Sequence, residues 1–276
     1  GDVETVCNAY RLLGWHIGSK ENEEKLINLL CDPKTDDAEL VETIAADDPC
    51  LTALAVFEEI ADDYIAKQMI LSPCDSPALC MLANSLSSRM NAPMLIVHSN
   101  AVSNAMLALF KRMKPDRITI VGNESNIAAT IVQEIELVLP NVVFERIGGE
   151  TVGEIALNAI EHKKIESSKV VVAYPECIGD LLLIMPYLYK HGVPILFNDP
   201  HEAPSQRLIE TIKYSDFDEV VLLGGEDVFP HDVIKPILDI GIHVTRVCGD
   251  GAVDATRIIH DWIRKVDPEI FEDTNE

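Results

Sequence analysis

The sequence predicts an α/β protein: two tandem Rossmann-like parallel-sheet units with a helical extension in front. Three observations carry that expectation. Eight short apolar runs are rich in Val and Ile, amphipathic stretches separate them, and the chain repeats itself. Short continuous apolar runs suit strands buried on both faces of a parallel sheet. Helical stretches between such runs are the pattern of βαβ units.

Residues 1–47 differ from the rest, with 4 basic and 11 acidic residues. Val3, Val6, Tyr10 and Leu13, then Leu26, Leu29 and Leu30, recur at helical spacing, broken by Gly14, Gly18 and Asp32-Pro33. A helical extension is expected there. From residue 48 onward, strands are predicted at Met69–Leu71, Met94–Val97, Ile118–Val121, Val142–Phe144, Val170–Val172, Ile195–Phe197, Val220–Leu223 and Ile242–Val244. A helix follows over 251–265, and the acidic tail from Val266 is expected to fray.

The repeat sets the domain boundaries. Asn91-Ala92-Pro93-Met94-Leu95-Ile96 is echoed by Gly192-Val193-Pro194-Ile195-Leu196, 101 positions later. Ile120-Val121-Gly122-Asn123-Glu124 returns 102 positions later as Leu222-Leu223-Gly224-Gly225-Glu226. Glu145-Arg146-Ile147-Gly148-Gly149-Glu150 returns after 100 as Thr245-Arg246-Val247-Cys248-Gly249-Asp250. A unit of this length is a small domain rather than a solenoid turn. The expected units are 48–149 and 150–249, with the extension at 1–47 and a C-terminal helix and acidic tail at 250–276.

Charge narrows the function. The chain has 22 Lys+Arg against 46 Asp+Glu, a formal net charge of −24. Nucleic-acid binding draws on cationic side chains that neutralise phosphates, so that class is excluded. The cysteines Cys7, Cys31, Cys50, Cys74, Cys80, Cys177 and Cys248 are scattered, with no C-x-x-C pair. That pattern suggests neither a disulfide framework nor a zinc site, and the expected metal set is none. No apolar stretch is long enough for a membrane span. No signal peptide opens the chain, but it begins at Gly1 without a Met, which leaves the compartment open.

Candidate ligand-binding residues lie at strand ends. The turns at Gly122-Asn123-Glu124-Ser125 and Gly224-Gly225-Glu226-Asp227 would let backbone approach a ligand, with helix N–H groups favouring an anion. Neither is a dinucleotide fingerprint, and Glu124, Glu226 and Asp227 would instead complement the helix dipole. Arg146 and Arg246 follow the last strand of each repeat. They suit either a carboxylate or phosphate ligand or an acid of the neighbouring unit. His98, and Asp199 with His201, stand where open α/β sheets place ligands; an Asn or Asp there is also an ordinary helix cap. No P-loop, nucleophile elbow or H-E-x-x-H occurs, so neither catalytic residues nor a cofactor are expected.

The repeated unit resembles the cell-wall-binding repeat 2 family. An acidic residue opens an amphipathic helix at Asp48-Pro49-Cys50-Leu51-Thr52-Ala53, with Glu150 and Asp250 at matching places. A strand is entered through a small-residue-Pro step at Pro93 and Pro194, and Glu145-Arg146-Ile147-Gly148-Gly149 matches the closing E-R-I-x-G run. Asp75-Ser76-Pro77-Ala78-Leu79 keeps part of the family's first segment, Ile178-Gly179-Asp180-Leu181-Leu182 keeps its Asp, and the family's Arg-Tyr after the opening acid is missing. The resemblance implies Rossmann-like units packed as a pseudo-trimer, on proteins held non-covalently to a wall polymer. This chain would supply two units and the first helix of a third. The third place would be empty, or filled by residues 1–47 or by another chain, a second copy of this one included. A non-catalytic module at the cell surface with a glycan or wall-polymer partner follows from that resemblance. Cysteine usage favours the alternative, a cytoplasmic α/β protein with a small ligand, or an enzyme, using the crevice between units.

Overall fold

The computed structural model describes residues 48–60, 66–163, 165–249 and 251–271; the extension expected over 1–47 lies outside the described residues. The first unit runs α1 (Pro49–Ile60), β1 (Gln68–Pro73), α2 (Pro77–Met90), β2 (Met94–Val97), α3 (Asn104–Met113), β3 (Arg117–Val121), α4 (Ala129–Val138) and β4 (Val143–Ile147). The second repeats the order with α5 (Val152–Lys163), β5 (Lys169–Ala173), α6 (Ile178–His191), β6 (Ile195–Phe197), α7 (Gln206–Tyr214), β7 (Glu219–Leu223), α8 (His231–Leu238) and β8 (His243–Val247). A final helix, α9 (Ala252–Val266), ends in a 3-10 turn at Pro268–Phe271.

The strands form two four-stranded sheets of the same order, β2-β1-β3-β4 and β6-β5-β7-β8. All pairings are parallel and in matched register: Ile70 lies between Met94 and Thr119, and Val171 between Ile195 and Val221. The α/β expectation holds. Of the four outer strands, β4 and β8 begin one residue later than their apolar runs and continue through Glu145-Arg146 and Thr245-Arg246. An edge strand is half solvated and tolerates such residues, so hydrophobicity marked only its first half.

Local chemistry ends the helices at matching points. The side chains of Ser103 and Ser205 accept from the backbone N–H of Met106 and Leu208, each at 3.1 Å, and so cap α3 and α7. At the other end of α2 the chain turns left-handed at Asn91 (φ 45°), and after α6 at Gly192 (φ 58°). There Ala92 N–H donates to the Ser87 carbonyl and Val193 N–H to that of Leu188, satisfying the last carbonyls.

Packing joins the units. Helices α3 and α4 bury Met106, Leu109, Phe110, Ile131 and Ile135 in a core with Leu95 and Ile120. Helix α2 takes part in a second core, where its Leu79, Leu82 and Leu86 meet Leu181, Ile184 and Leu188 of α6. Each such side chain is worth roughly 1.5–3 kcal/mol on burial, so this seam is apolar core rather than a polar contact. Arg89 Nε donates across it to the Gly192 carbonyl at 2.7 Å, and Ser88 Oγ to that of Tyr189.

Helix α9 buries Ile259 and Ile263 and sets Trp262 edge-on to Tyr187 of α6, with ring centroids 4.9 Å apart. The start of the tail does not fray. Asp267 is only 6% exposed and is held by Lys190 Nζ at 2.8 Å and His191 Nε2 at 2.7 Å. Among the described residues no helix is long and apolar enough to cross a membrane.

Candidate functional site

In a 2-1-3-4 sheet the crevice lies outside the strand C-termini, at the switch between the first and third strands. The singled-out glycines and histidines stand at this edge. Gly122 has φ +121° and Gly224 +147°, and an added Cβ would come within 2.9 Å of Asn126 Cβ or Phe229 Cδ2 respectively. Only glycine fits there without strain. At Gly225 the same atom would meet Asp227 Oδ1 at 2.3 Å.

These turns do not open the next helices. A further turn intervenes, and α4 and α8 start only at Ala129 and His231. In the first of these turns, N–H groups expected to face an anion are also taken. Asn123 Oδ1 accepts from Ser125 N–H at 2.9 Å, and Asn126 Oδ1 accepts from Asn123 N–H at 3.0 Å.

The arginines brace the same turns. Arg146 donates from Nη1 to the carbonyls of Gly122 at 3.0 Å and Asn123 at 2.9 Å, and from Nη2 to that of Ile127 at 3.0 Å. Arg246 donates to the carbonyls of Gly224 at 2.7 Å and Phe229 at 2.8 Å. Among the described residues neither forms an ion pair with an acid of the neighbouring unit. The planar guanidinium spans carbonyls that a lysine could not reach together. Carbonyl acceptors leave no mark in a sequence, which is why the acids looked like the natural partners.

Beside Arg146, between β4 and α5, lies a crevice of about 320 Å³ lined by Arg146, Ile147, Gly148, Asn158, Glu161 and His162. Its charges are matched. Arg207 reaches Glu161 with Nε at 3.0 Å and Nη2 at 2.6 Å, and Asn158 Oδ1 at 2.6 Å. Lys163 and His162 hold Glu145 at 2.5 and 2.8 Å. Burial alone would raise the Glu145 carboxyl, but Lys163, His162 and Arg117 keep it below its ordinary value.

His98 and the Asp199–His201 turn diverge in structure. Asp199 and His201 are exposed, and His201 sits in the left-handed region (φ 60°) with its N–H on the Val228 carbonyl at 3.0 Å. Buried Asn198 fixes this turn by donating to the carbonyls of Asp199 and Glu202. His98 instead belongs to a cluster. Its Nε2 lies 2.5 Å from Asp48 Oδ2 and its Nδ1 3.3 Å from Cys74 Sγ. Asp48 Oδ1 meanwhile accepts from Cys50 N–H at 2.7 Å and Leu51 N–H at 3.1 Å, capping α1. The bond to His98 holds the Asp48 carboxyl below its ordinary value. Asp48 was legible as a helix opener; its second role depends on α1 lying over β2.

Comparison with known proteins places this architecture. Over 124 residues the sequence is 27% identical to an amidase enhancer of Bacillus subtilis strain 168, covering 45% of this chain and 17% of that protein. Over 140 residues it is 25% identical to N-acetylmuramoyl-L-alanine amidase LytC of the same organism, covering 51% and 27%. Among solved structures, Cwp6 from Clostridium difficile matches with a TM-score of 0.71 at 20% identity, over 79% of this chain and 35% of that one. Cwp8 from the same organism matches at 0.68 and 22%, over 87% and 40%. No family model matches the chain. The chain shares its fold with Cwp6 and Cwp8 and spans under a third of either curated relative's length.

Proposed function

We propose that this chain is a non-catalytic binding module associated with a bacterial cell wall, built of units at 48–149 and 150–249. One observation carries the reading. The likeness to the amidase LytC and to the amidase enhancer covers about half of this chain but only 27% and 17% of those proteins. A small shared portion is what a common accessory module would leave. The fold in common with Cwp6 and Cwp8 supports the same setting.

Charge then selects the partner. At −24 the chain repels anionic polymers at long range. The cations beside the crevice are engaged as well, Arg146 with carbonyls and Lys163 with Glu145. The partner is therefore a neutral glycan, or an anionic wall polymer bridged by divalent cations. Arg146, Arg246, Gly122, Gly224 and Gly225 shape the binding edge, while exposed Asp199 and His201 are its candidate contacts; His98 stands at the same edge with both ring nitrogens already engaged. Pelleting with purified cell walls in the presence of Ca²⁺ tests this reading. The chain should sediment with the walls while an unrelated protein of like negative charge stays in solution. Failure to sediment would overturn the proposal.

A further inference from the structure

We propose that the first unit holds a zinc ion between Cys50, Cys74 and His98, with Asp48 orienting the histidine. The side-chain ligand atoms of these three residues all lie within 4.8 Å of one another. A tetrahedral zinc site with bonds of about 2.0–2.3 Å sets its ligands roughly 3.5–3.8 Å apart, so small side-chain movements close this cluster onto an ion. Cys50 enters from the first turn of α1, Cys74 from the end of β1 and His98 from the end of β2. Three separate elements converge, which is why no C-x-x-C spacing announced the site.

The histidine is prepared for a metal. With Nε2–H donating to Asp48 Oδ2 at 2.5 Å, the Nδ1 lone pair faces the cysteines. A carboxylate that fixes the tautomer of a ligating imidazole is the usual outer-shell partner of zinc histidines. Two thiolates and an imidazole select a soft or borderline ion, whereas Mg²⁺ and Ca²⁺ prefer oxygen. A cavity of about 100 Å³ lined by Asp48, Cys50, His98, Ser103 and Met106, among others, adjoins the cluster and leaves room for a fourth, exchangeable ligand.

The fold does not require this set. In the second unit, where α6 opens 101 residues after α2, Cys74 and His98 correspond to Pro175 and Asp199. The opening of α5 carries Glu150 and Val152 where α1 has Asp48 and Cys50. A constellation confined to one of two like units serves something other than architecture. A lone nucleophilic cysteine would need the histidine but not a second buried thiol.

Titration of the full chain with Co²⁺ under reductant tests the site. One equivalent should produce thiolate-to-cobalt charge transfer with the intense visible bands of a tetrahedral ion, and Zn²⁺ should displace it. Cys50→Ser and Cys74→Ser should each weaken the charge transfer, Cys177→Ser should not, and Asp48→Asn, which keeps the helix cap, should lower affinity about 10–100-fold. Should the serine variants fail to fold, alkylation of the native chain gives the same answer: zinc should protect Cys50 and Cys74 but not Cys248. Absence of a tetrahedral spectrum, no protection by zinc, or a Cys50–Cys74 disulfide that binds no metal once reduced would overturn the proposal.

Discussion

Arg146 of the edge strand β4 and Gly122, in the turn just past the neighbouring β3, meet through a hydrogen bond of 3.0 Å from Nη1 to the glycine carbonyl. Arg246 and Gly224 repeat that bond in the second unit at 2.7 Å. Each arginine thus anchors a left-handed glycine turn to the edge strand beside it. Removing the guanidinium strands part-buried carbonyls, at a cost of about 2–3 kcal/mol. Arg146→Ala and Arg246→Ala should each lower the urea midpoint with an unchanged slope. Lysine should not restore it, because one ammonium cannot span the same acceptors. Wild-type midpoints in both variants would show that the arginines are spare.

Much of the fold was legible before the structure. The β3 run Ile118–Val121 and the β7 run Val220–Leu223 are continuous because both faces of a central strand are covered, and hydrophobicity reports that directly. Chemistry at strand ends is less legible. The arginines were visible, but their acceptors are backbone carbonyls, which every residue has. His98 was visible too, yet Asp48, Cys50 and Cys74 join it only through tertiary folding. Asp267 looked like one more acid of a tail until α9 brought it to Lys190 and His191.

A second expectation concerns Thr119, at the centre of the first sheet. It is fully buried, and its Oγ1 finds no partner among the described residues. The matching position in the other unit is Val221, which occupies the same register without a hydroxyl. Thr119→Val keeps the shape and removes an unpaired polar atom, so it should stabilise by about 1 kcal/mol. A lower melting temperature for this variant would reveal a hydrogen bond to that hydroxyl.

Acid should loosen the joint between α9 and α6. Burial pushes the Asp267 carboxyl up, but Lys190 and His191 outweigh it and leave the group below its ordinary 3.8. A carboxylate lowered by folding contributes fully above its unfolded pKa and loses that contribution as pH falls through the folded value. Asp267→Asn should therefore cost about 1–2 kcal/mol at neutral pH, with the difference from wild type shrinking near pH 3. A gap of equal size at both pH values would mean that the side chain acts by packing alone.

The central claim, that a strongly acidic module reaches the wall without relying on its own positive charge, is tested most directly by wall sedimentation at low salt with and without divalent cations. Long-range repulsion is least screened at low salt. The chain should stay in solution on walls rich in anionic polymer when a chelator is present, and pellet when Ca²⁺ or Mg²⁺ is restored. On walls stripped of anionic polymer, a neutral-glycan partner would give binding indifferent to chelator. Strong binding to anionic walls at low salt in the presence of chelator, lost on stripped walls, would contradict the account.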